Sequence, residues 1–586
     1  MTVEKLITDH IDIWSSALQT RSAAGRGSNG KIDLYGIKKL RELILELAVR
    51  GKLVPQDPND EPASELLKRI AAEKAKLVKQ GKIKKQKPLP EISEDEKPFE
   101  LPVGWEWTTL SEIATINPKI EVTDDEQDIS FVPMPCISTR FDGAHDQEIK
   151  SWGKVKKGYT HFADGDIAIA KITPCFENSK AVIFKGLKGG VGVGTTELHV
   201  ARPISSELNL QYILLNIKSP HYLSMGESMM TGSAGQKRVP RNFFENYPLP
   251  FPPIAEQIRI VETFSQLMTI CDQLEQQSLS SLDAHQQLVK TLLATLTDSQ
   301  NAEELAENWA RISQYFGTLF TNEASIDALK QTILQLAVMG KLVPQDPNDE
   351  PASELLKRIE QEKAQLVKEG KIKKQKPLPP VSDEEKPFEL PVGWGWVRLG
   401  DIGTISGGGT PSKNNEEYWL GDIPWLSPKD MKVDYISTAE FNISELAVAN
   451  SSVRIIPNNS ILFVVRGMIL AHTFPVAINK KEVTINQDMK SITSHLFNMD
   501  FLLNLMKGMS RNVLSLVDRS SHGTCKLVSE KLFNLQIPLP PLSEQSRINN
   551  RIEELVSLCD TLKSRLQSAQ QTQLHLADAL TDAALN

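Results

Sequence analysis

The spacing of apolar residues divides the chain into stretches of different period. From Leu40 to Val49 and from Ala63 to Val78, apolar residues recur at helical intervals. The turn-rich VPQDPNDEP lies between them, so the two runs predict a helical hairpin. Shorter β-rich runs, Asp166 to Ala170, Ala181 to Phe184 and Ser460 to Val465, alternate with Gly, Asn and Pro turns and predict mixed α/β modules. Two long helical stretches follow proline pairs. Ala255-Glu256-Gln257 and Ser543-Glu544-Gln545 place acidic and amide side chains where the open N–H groups and dipole of a helix favour them. Ile260, Phe264, Leu267, Ile270, Cys271, Leu274, Leu282, Leu288 and Leu292 predict an apolar stripe on the first helix. Ile548, Ile552, Leu555, Leu558, Leu562, Leu576 and Leu580 predict one on the second. A helix from Glu256 to Leu296 spans roughly 60 Å at 1.5 Å per residue. Two of them predict an antiparallel coiled coil.

The pattern occurs twice. GKLVPQDPNDEPASELLKRI runs from Gly51 to Ile70 and again, letter for letter, from Gly340 to Ile359, a shift of 289 residues. GKIKKQKPLP (from Gly81 and Gly370), EKPFELPVGW (from Glu96 and Glu385) and the pairs Trp105/Trp107 and Trp394/Trp396 keep that shift. Later, PPIAEQIRI from Pro252 matches PPLSEQSRI from Pro540, and Cys271-Asp272-x-Leu274 matches Cys559-Asp560-x-Leu562, at a shift of 288. Between these blocks, Leu110 to Tyr247 and Leu399 to Ile537 share only scattered residues. Pro135, Ser138 and Arg140 match Pro424, Ser427 and Lys429, and Gly235 and Arg238 match Gly523 and Lys526. The chain is therefore a duplicated scaffold carrying two unlike modules. The expected units are an N-terminal helical region 1–98, modules at 99–253 and 388–541, a central helical region 254–387 with the second hairpin, and a C-terminal helix 542–586.

Composition narrows the class. Of 586 residues, 40% are hydrophobic and 24% charged, ordinary values for a globular protein. No run approaches a membrane span, and MTVEKLITDHIDIW carries charges where a secretory signal has its apolar core, so a cytoplasmic protein is expected. Cys136, Cys175, Cys271, Cys525 and Cys559 form no C-x-x-C pair, which predicts buried free thiols. The net charge of -8 excludes nucleic-acid binding through bulk positive charge alone and requires local basic faces. KIKKQKPLP followed by EISEDEK reads as a solvated connector. No phosphate loop, methyltransferase N-P-P-[FY] or D-P-P-Y motif, or H-E-x-x-H helix occurs. Gly189-Gly190-Val191-Gly192-Val193-Gly194 lacks the strand-loop-helix frame of a nucleotide site and is read as a β-turn.

The order of repeated head, variable module ending in G-x-x-[KR], proline-flanked EQ-x-RI, long helix, and the same again resembles the specificity subunits of type I restriction-modification systems. FELPVGWEW before the first module and GGGTPSKNNEEYWLGDIPWLSPKDM, Gly407 to Met431, are similar to the openings of their target recognition domains. The longer heads are similar to one subgroup. The resemblance implies a non-catalytic subunit of a complex, with two α/β recognition domains separated by long helices in a pseudo-two-fold repeat. Each domain would read one half of a bipartite, asymmetric DNA site. Two adenine-N6 methyltransferase subunits and motor-nuclease subunits would be the partners, and S-adenosylmethionine, ATP and Mg2+ would belong to them.

Base reading in the major groove needs Arg or Lys for guanine and Asn or Gln for adenine, while phosphates accept any well-placed cation. The candidates are Arg140, Lys154, Lys156, Lys157, Lys171, Lys180, Lys237 and Arg238 in the first module. In the second they are Lys413, Lys429, Lys432, Arg466, His522 and Lys526. Lys429 repeats Arg140, Lys526 repeats Arg238, and Arg466 lies within one residue of the position facing Lys171. Shared positions suit phosphates better than bases, since readers of different half-sites should differ. An ordinary solvated lysine is the competing reading for each. The tryptophan pairs are read as packing between module and scaffold, His199 and His472 receive no ligand role, and Thr123-Asp-Asp-Glu-Gln-Asp is read as a solvated loop. A coiled-coil adaptor without a DNA role and a stand-alone nuclease or methyltransferase are the alternatives. A sequence-selective footprint excludes the first, and unaided methylation or cleavage establishes the second.

Overall fold

A computed structural model describes residues 3–21, 31–84, 92–233, 235–372, 377–519 and 524–585. The chain forms two compact units. One holds Ile32–Leu279 with the chain from Gln570 onward and the segment up to Arg21, and the other holds Ser280–Ala569.

Each head is the expected hairpin: helices Tyr35–Val49 and Ala63–Lys79 in the first unit, Glu323–Val338 and Ala352–Lys368 in the second. Leu40, Leu43, Ile44 and Leu47 are buried on the first helix, and Leu66 and Ile70 on the second join a core with Leu110, Ile113, Ile204 and Leu208. Gly51 stops the first helix at φ 68°, the left-handed conformation a helix terminus favours, and Lys52 N–H returns to Leu47 O at 2.9 Å. A Cβ on Gly51 would lie 2.5 Å from Pro102 and 2.9 Å from Trp105, so head and module meet through the missing side chain. Gly340 repeats the feature at φ 68°, with Pro391 at 2.5 Å. Of the connector, residues 85–91 and 373–376 lie outside the described residues. Its acidic part forms a capped 3-10 turn at Glu94–Glu96 and again at Asp383–Glu385.

The long helices run Ile254–Asp298 and Leu542–Leu585. The head helices pack on them through equivalent pairs. In the first unit Arg41 holds Asp272 and Glu275 at 2.5 Å each, and the Tyr35 hydroxyl donates to Asp578 at 2.6 Å. In the second unit Lys330 meets Asp560, and Lys563 reaches Asp327 at 3.0 Å. Lys341 Nζ donates to the carbonyls of Thr297 and Ser299 at 2.8 Å each, closing the first long helix. Lys52 Nζ donates to Leu585 O at 2.6 Å at the end of the second. These cations complement the negative end of a helix dipole.

The buried stripe differs from expectation. Ile270, Leu288, Leu558 and Leu576 are exposed, whereas Val289, Leu293, Leu296, Cys559 and Ala577 are buried. Residues 272–288 of the first long helix contribute nothing buried. The positions of the short head helices set the register, so periodicity read from the long helix alone misassigns its middle.

A buried polar clasp joins each module to its scaffold. The Glu256 carboxylate, 1% exposed, accepts from Trp105 Nε1 at 2.9 Å and Gln56 Nε2 at 3.1 Å. Glu544 accepts from Trp394 Nε1 at 2.9 Å and Gln345 Nε2 at 3.2 Å. Arg259 holds Asp60 and Arg547 holds Asp349, each at 2.5 Å. The repeated EQ-x-RI motif is thus a set of specific bonds as well as a helix start. The tryptophans pack as expected: Trp107 lies 5.2 Å from Phe99 and Trp396 5.0 Å from Phe388.

Within each module the first and last strands pair. Glu106–Thr108 lies antiparallel to Leu249–Phe251, and Gly395–Arg398 to Gln536–Leu539, which brings the two module ends together on the scaffold. The first module has two four-stranded sheets. In order they are Glu148–Ser151, Asp128–Val132, Val191–Gly194, Thr160–Ala163, and Ala114–Ile116, Leu198–Pro203, Ile167–Ala170, Ala181–Ile183. The second has a five-stranded sheet centred on Ile461–Val464 and a three-stranded sheet centred on Ile423–Leu426. The glycine-rich stretch is a turn leading into strand Val191–Gly194. Side chains on Gly192 or Gly194 would come within 2.6 Å of Phe162 or 2.4 Å of Val132 O, so these glycines let the Phe162 ring lie against the strand.

Three cysteines, Cys271, Cys525 and Cys559, are buried free thiols, and Cys136 and Cys175 are partly exposed ones. Among the described residues no helix is long and apolar enough to cross a membrane, and no group of His, Cys, Asp or Glu could hold a metal ion.

Candidate nucleic-acid interface

In the first module, strand Ile167–Ala170 ends where three segments converge. Lys171 N–H donates to Glu197 O at 2.9 Å, and Lys171 O accepts from Val239 N–H at 2.8 Å. Thr173 N–H donates to Lys237 O at 3.0 Å, and Ile172 bridges Arg238. Backbone pairing therefore gathers Lys171, Lys237 and Arg238. Arg238 donates to both Glu197 carboxylate oxygens, at 2.8 and 2.9 Å, and its guanidinium holds that carboxyl below the usual range. The fork fixes the plane of the Arg238 cation.

The Arg140 turn borders the hairpin formed by strands Ile167–Ala170 and Ala181–Ile183. Arg140 N–H donates to Ser138 Oγ at 3.0 Å, and its side chain is 78% exposed while meeting Asp142 at 2.8 Å. Ser179 Oγ donates to Thr139 O at 3.5 Å. Lys180 turns inward, donating its ammonium to Met134 O at 2.8 Å, so it ties two loops together.

The second module rebuilds this arrangement with different residues. Lys429 N–H donates to Ser427 Oγ at 3.3 Å, repeating the Ser138–Arg140 turn. Val465 N–H donates to Asp488 O and Leu527 N–H to Val465 O, both at 2.8 Å, so Val465 stands where Lys171 does. Arg466 bridges Lys526 as Ile172 bridges Arg238. Asp488 replaces Glu197: its N–H donates to Asn486 Oδ1 at 3.0 Å, as Glu197 N–H donates to Thr195 Oγ1 at 3.2 Å. Arg466 approaches Asp488 at 3.7 Å. The Lys413 loop is tethered alongside, through Gly409 N–H to Ile485 O at 2.9 Å and Thr410 to Gln487. Exposed Lys432 follows two residues after Asp430. His522 lies outside the described residues.

Three first-module candidates stand elsewhere. Lys154, Lys156 and Lys157 surround the short helix Trp152–Val155, next to edge strand Glu148–Ser151 of the other sheet. Lys156 pairs at 2.7 Å with Asp125, and Gly153 N–H donates to Asp125 O at 2.8 Å. The acidic run read as a solvated loop thus anchors this helix. Lysine spacing carries no information on which sheet a residue borders, so the sequence had grouped all eight.

Sequence reasoning missed Glu197 and Asp488, the carboxylates that pair with Arg238 and Arg466. It also missed the clasp pairs, although Gln56/Gln345, Trp105/Trp394 and Glu256/Glu544 all repeat and could have been matched as partners. Electrostatically, each module presents cations at one end of its central strands with one carboxylate among them: Glu197 forks with Arg238, and Asp488 lies 3.7 Å from Arg466. Such an arrangement can hold phosphate oxygens.

The family described as type I restriction modification DNA specificity domain matches residues 102–284 and 391–571. The chain is 71% identical over its full length, and over all of that protein, to the type I restriction enzyme EcoEI specificity subunit of Escherichia coli. It is 64% identical, with the same complete coverage, to the EcoAI specificity subunit of Escherichia coli. A solved HsdS subunit from Thermoanaerobacter tengcongensis aligns with 84% of this chain and 98% of its own at 17% identity and a TM-score of 0.42.

Proposed function

The chain belongs to the type I restriction-modification DNA specificity family, and on that premise we propose that it reads a bipartite, asymmetric DNA site, one half-site per module. It is the specificity subunit of such a system, and DNA specificity resides in its two modules. One observation carries the finer reading: two modules of different sequence keep the same backbone frame for a cation pair and its carboxylate. A frame held in common suits phosphates, which every DNA sequence presents, and the surrounding loops are left to differ for bases. We assign phosphate positioning to Arg140, Lys171, Lys237 and Arg238, and to Lys429, Arg466 and Lys526.

The duplicated heads and long helices would seat two copies of one partner, an adenine-N6 methyltransferase, with motor-nuclease subunits joining that assembly. S-adenosylmethionine, ATP and Mg2+ would enter with those partners, and this chain would act without chemistry of its own.

Genome-wide mapping of N6-methyladenine in cells carrying the system tests the reading. A split motif, with one modified adenine in each half, is expected. Replacing Leu110 to Tyr247 by another module should change one half only. A continuous motif, or a swap that alters both halves, refutes it.

A further inference from the structure

Beneath the Arg140 turn lies a lysine with no part in the reading above. Lys218 follows helix Leu210–Ile217 and is 2% exposed. Its ammonium donates to Ser179 O at 2.6 Å and Thr139 O at 3.1 Å. Arg140 follows one of these carbonyls and Lys180 the other. Phe141 continues the turn. Its ring lies 5.8 Å from the Lys218 ammonium and 5.3 Å, edge-on, from Phe264 of the first long helix, and its carbonyl accepts from Gln211 Nε2 at 2.5 Å.

A buried ammonium is costly unless its donors are used, and an apolar side chain of similar volume could fill the space more cheaply. Burial pushes the Lys218 ammonium down to about 7, against the opposing pull of Asp142. The second module manages without this device. Lys507, at the equivalent position, is 30% exposed and meets the Asp434 carboxylate at 2.5 Å. What the buried lysine adds is a bond to both loops at the Arg140 turn itself, where they otherwise share one long hydroxyl bond, Lys180 tying them further off at Met134.

We propose that Lys218 is a positioning residue for DNA reading, which locks the Thr139 and Ser179 loops together and holds the Arg140 turn against the first long helix. This rests on the specificity reading given above. From its buried position Lys218 reaches no phosphate itself, so its effect must pass through Arg140.

The test uses the full chain assembled with its methyltransferase, binding a duplex that carries the mapped site, over a series of salt concentrations. Loss of one phosphate contact lowers the slope of log K against log salt by about 0.9. Arg140→Gln is expected to show that drop with about tenfold weaker binding, and Lys218→Met to show the same. The double variant should be no weaker than either single one. The melting temperature of Lys218→Met should hold or rise, because a buried charge has gone. Lys218→Gln, which keeps a donor, should recover part of the slope. A wild-type slope in folded Lys218→Met, or additive losses in the double variant, overturns the proposal. Should Lys218→Met fail to fold, the same cycle with Lys218→Gln decides. A wild-type complex without preference for the mapped site refutes the specificity reading instead.

Discussion

Truncating the buried clasp carboxylate, Glu256→Ala, is expected to destabilise the first unit by about 3 kcal/mol. Glu256 accepts from Trp105 Nε1 at 2.9 Å and Gln56 Nε2 at 3.1 Å; the variant leaves the buried Trp105 N–H unpaired, while exposed Gln56 keeps its bond to Gly51 O at 2.7 Å. Two hydrogen bonds to a charged acceptor contribute about 1.5–3 kcal/mol each. The charge also faces a helix N-terminus, adding about 0.5 kcal/mol. Against this, burial raises the Glu256 carboxyl above its ordinary range; removing a buried polar group also removes its desolvation cost, about 2 kcal/mol. The second unit supplies an internal control, since Glu544 has the same partners at 2.9 and 3.2 Å. Urea denaturation followed by tryptophan fluorescence should therefore show similar losses for Glu256→Ala and Glu544→Ala. Glu256→Gln keeps one acceptor and should cost less. Because the folded carboxyl titrates higher than the unfolded one, the native contribution is largest at low pH and falls as pH rises through the folded value, so the glutamine variant compares better at pH 7 than at pH 4. A loss below about 1 kcal/mol for Glu256→Ala would mean that water or a shifted side chain satisfies the orphaned Trp105 N–H, and the clasp argument fails.

Burial holds His199 down to about 4, so the unfolded state takes up its proton first as pH falls from about 6.5. The first unit should lose about 3 kcal/mol across that window, and His199→Leu should flatten the loss in acid denaturation curves. Gly194→Ala places a Cβ 2.4 Å from Val132 O and should cost about 1–3 kcal/mol, read as a lower melting temperature. Inserting residues into the first long helix between Ser278 and Asp283, where side chains are unburied, should change the spacer in the mapped methylation motif and leave both half-sites intact; an unchanged spacer removes the scaffold from spacing control.

The sequence by itself determined the duplication, the helical hairpins, the long helices and the two unlike modules, because these rest on identity and local periodicity. Lys429 as the counterpart of Arg140, and Lys526 of Arg238, were also legible, because each repeats at a constant shift. Only the tertiary structure decided what those residues face. Glu197 and Asp488 lie tens of residues from the arginines they meet, Arg238 and Arg466, and strand pairing alone brings them together. It separated Lys154, Lys156 and Lys157 from the other cations, since the two sheets of one module are not distinguishable by composition. It moved the buried stripe from Leu288 to Val289, because the packed head helix, not the long helix, chooses the face. Lys218 shows the same limit most clearly: as a letter it matches Lys507, yet one is buried against two carbonyls and the other pairs with a carboxylate near water. Local sequence sets which elements form, and the neighbours those elements acquire set the charge, burial and partners of each side chain.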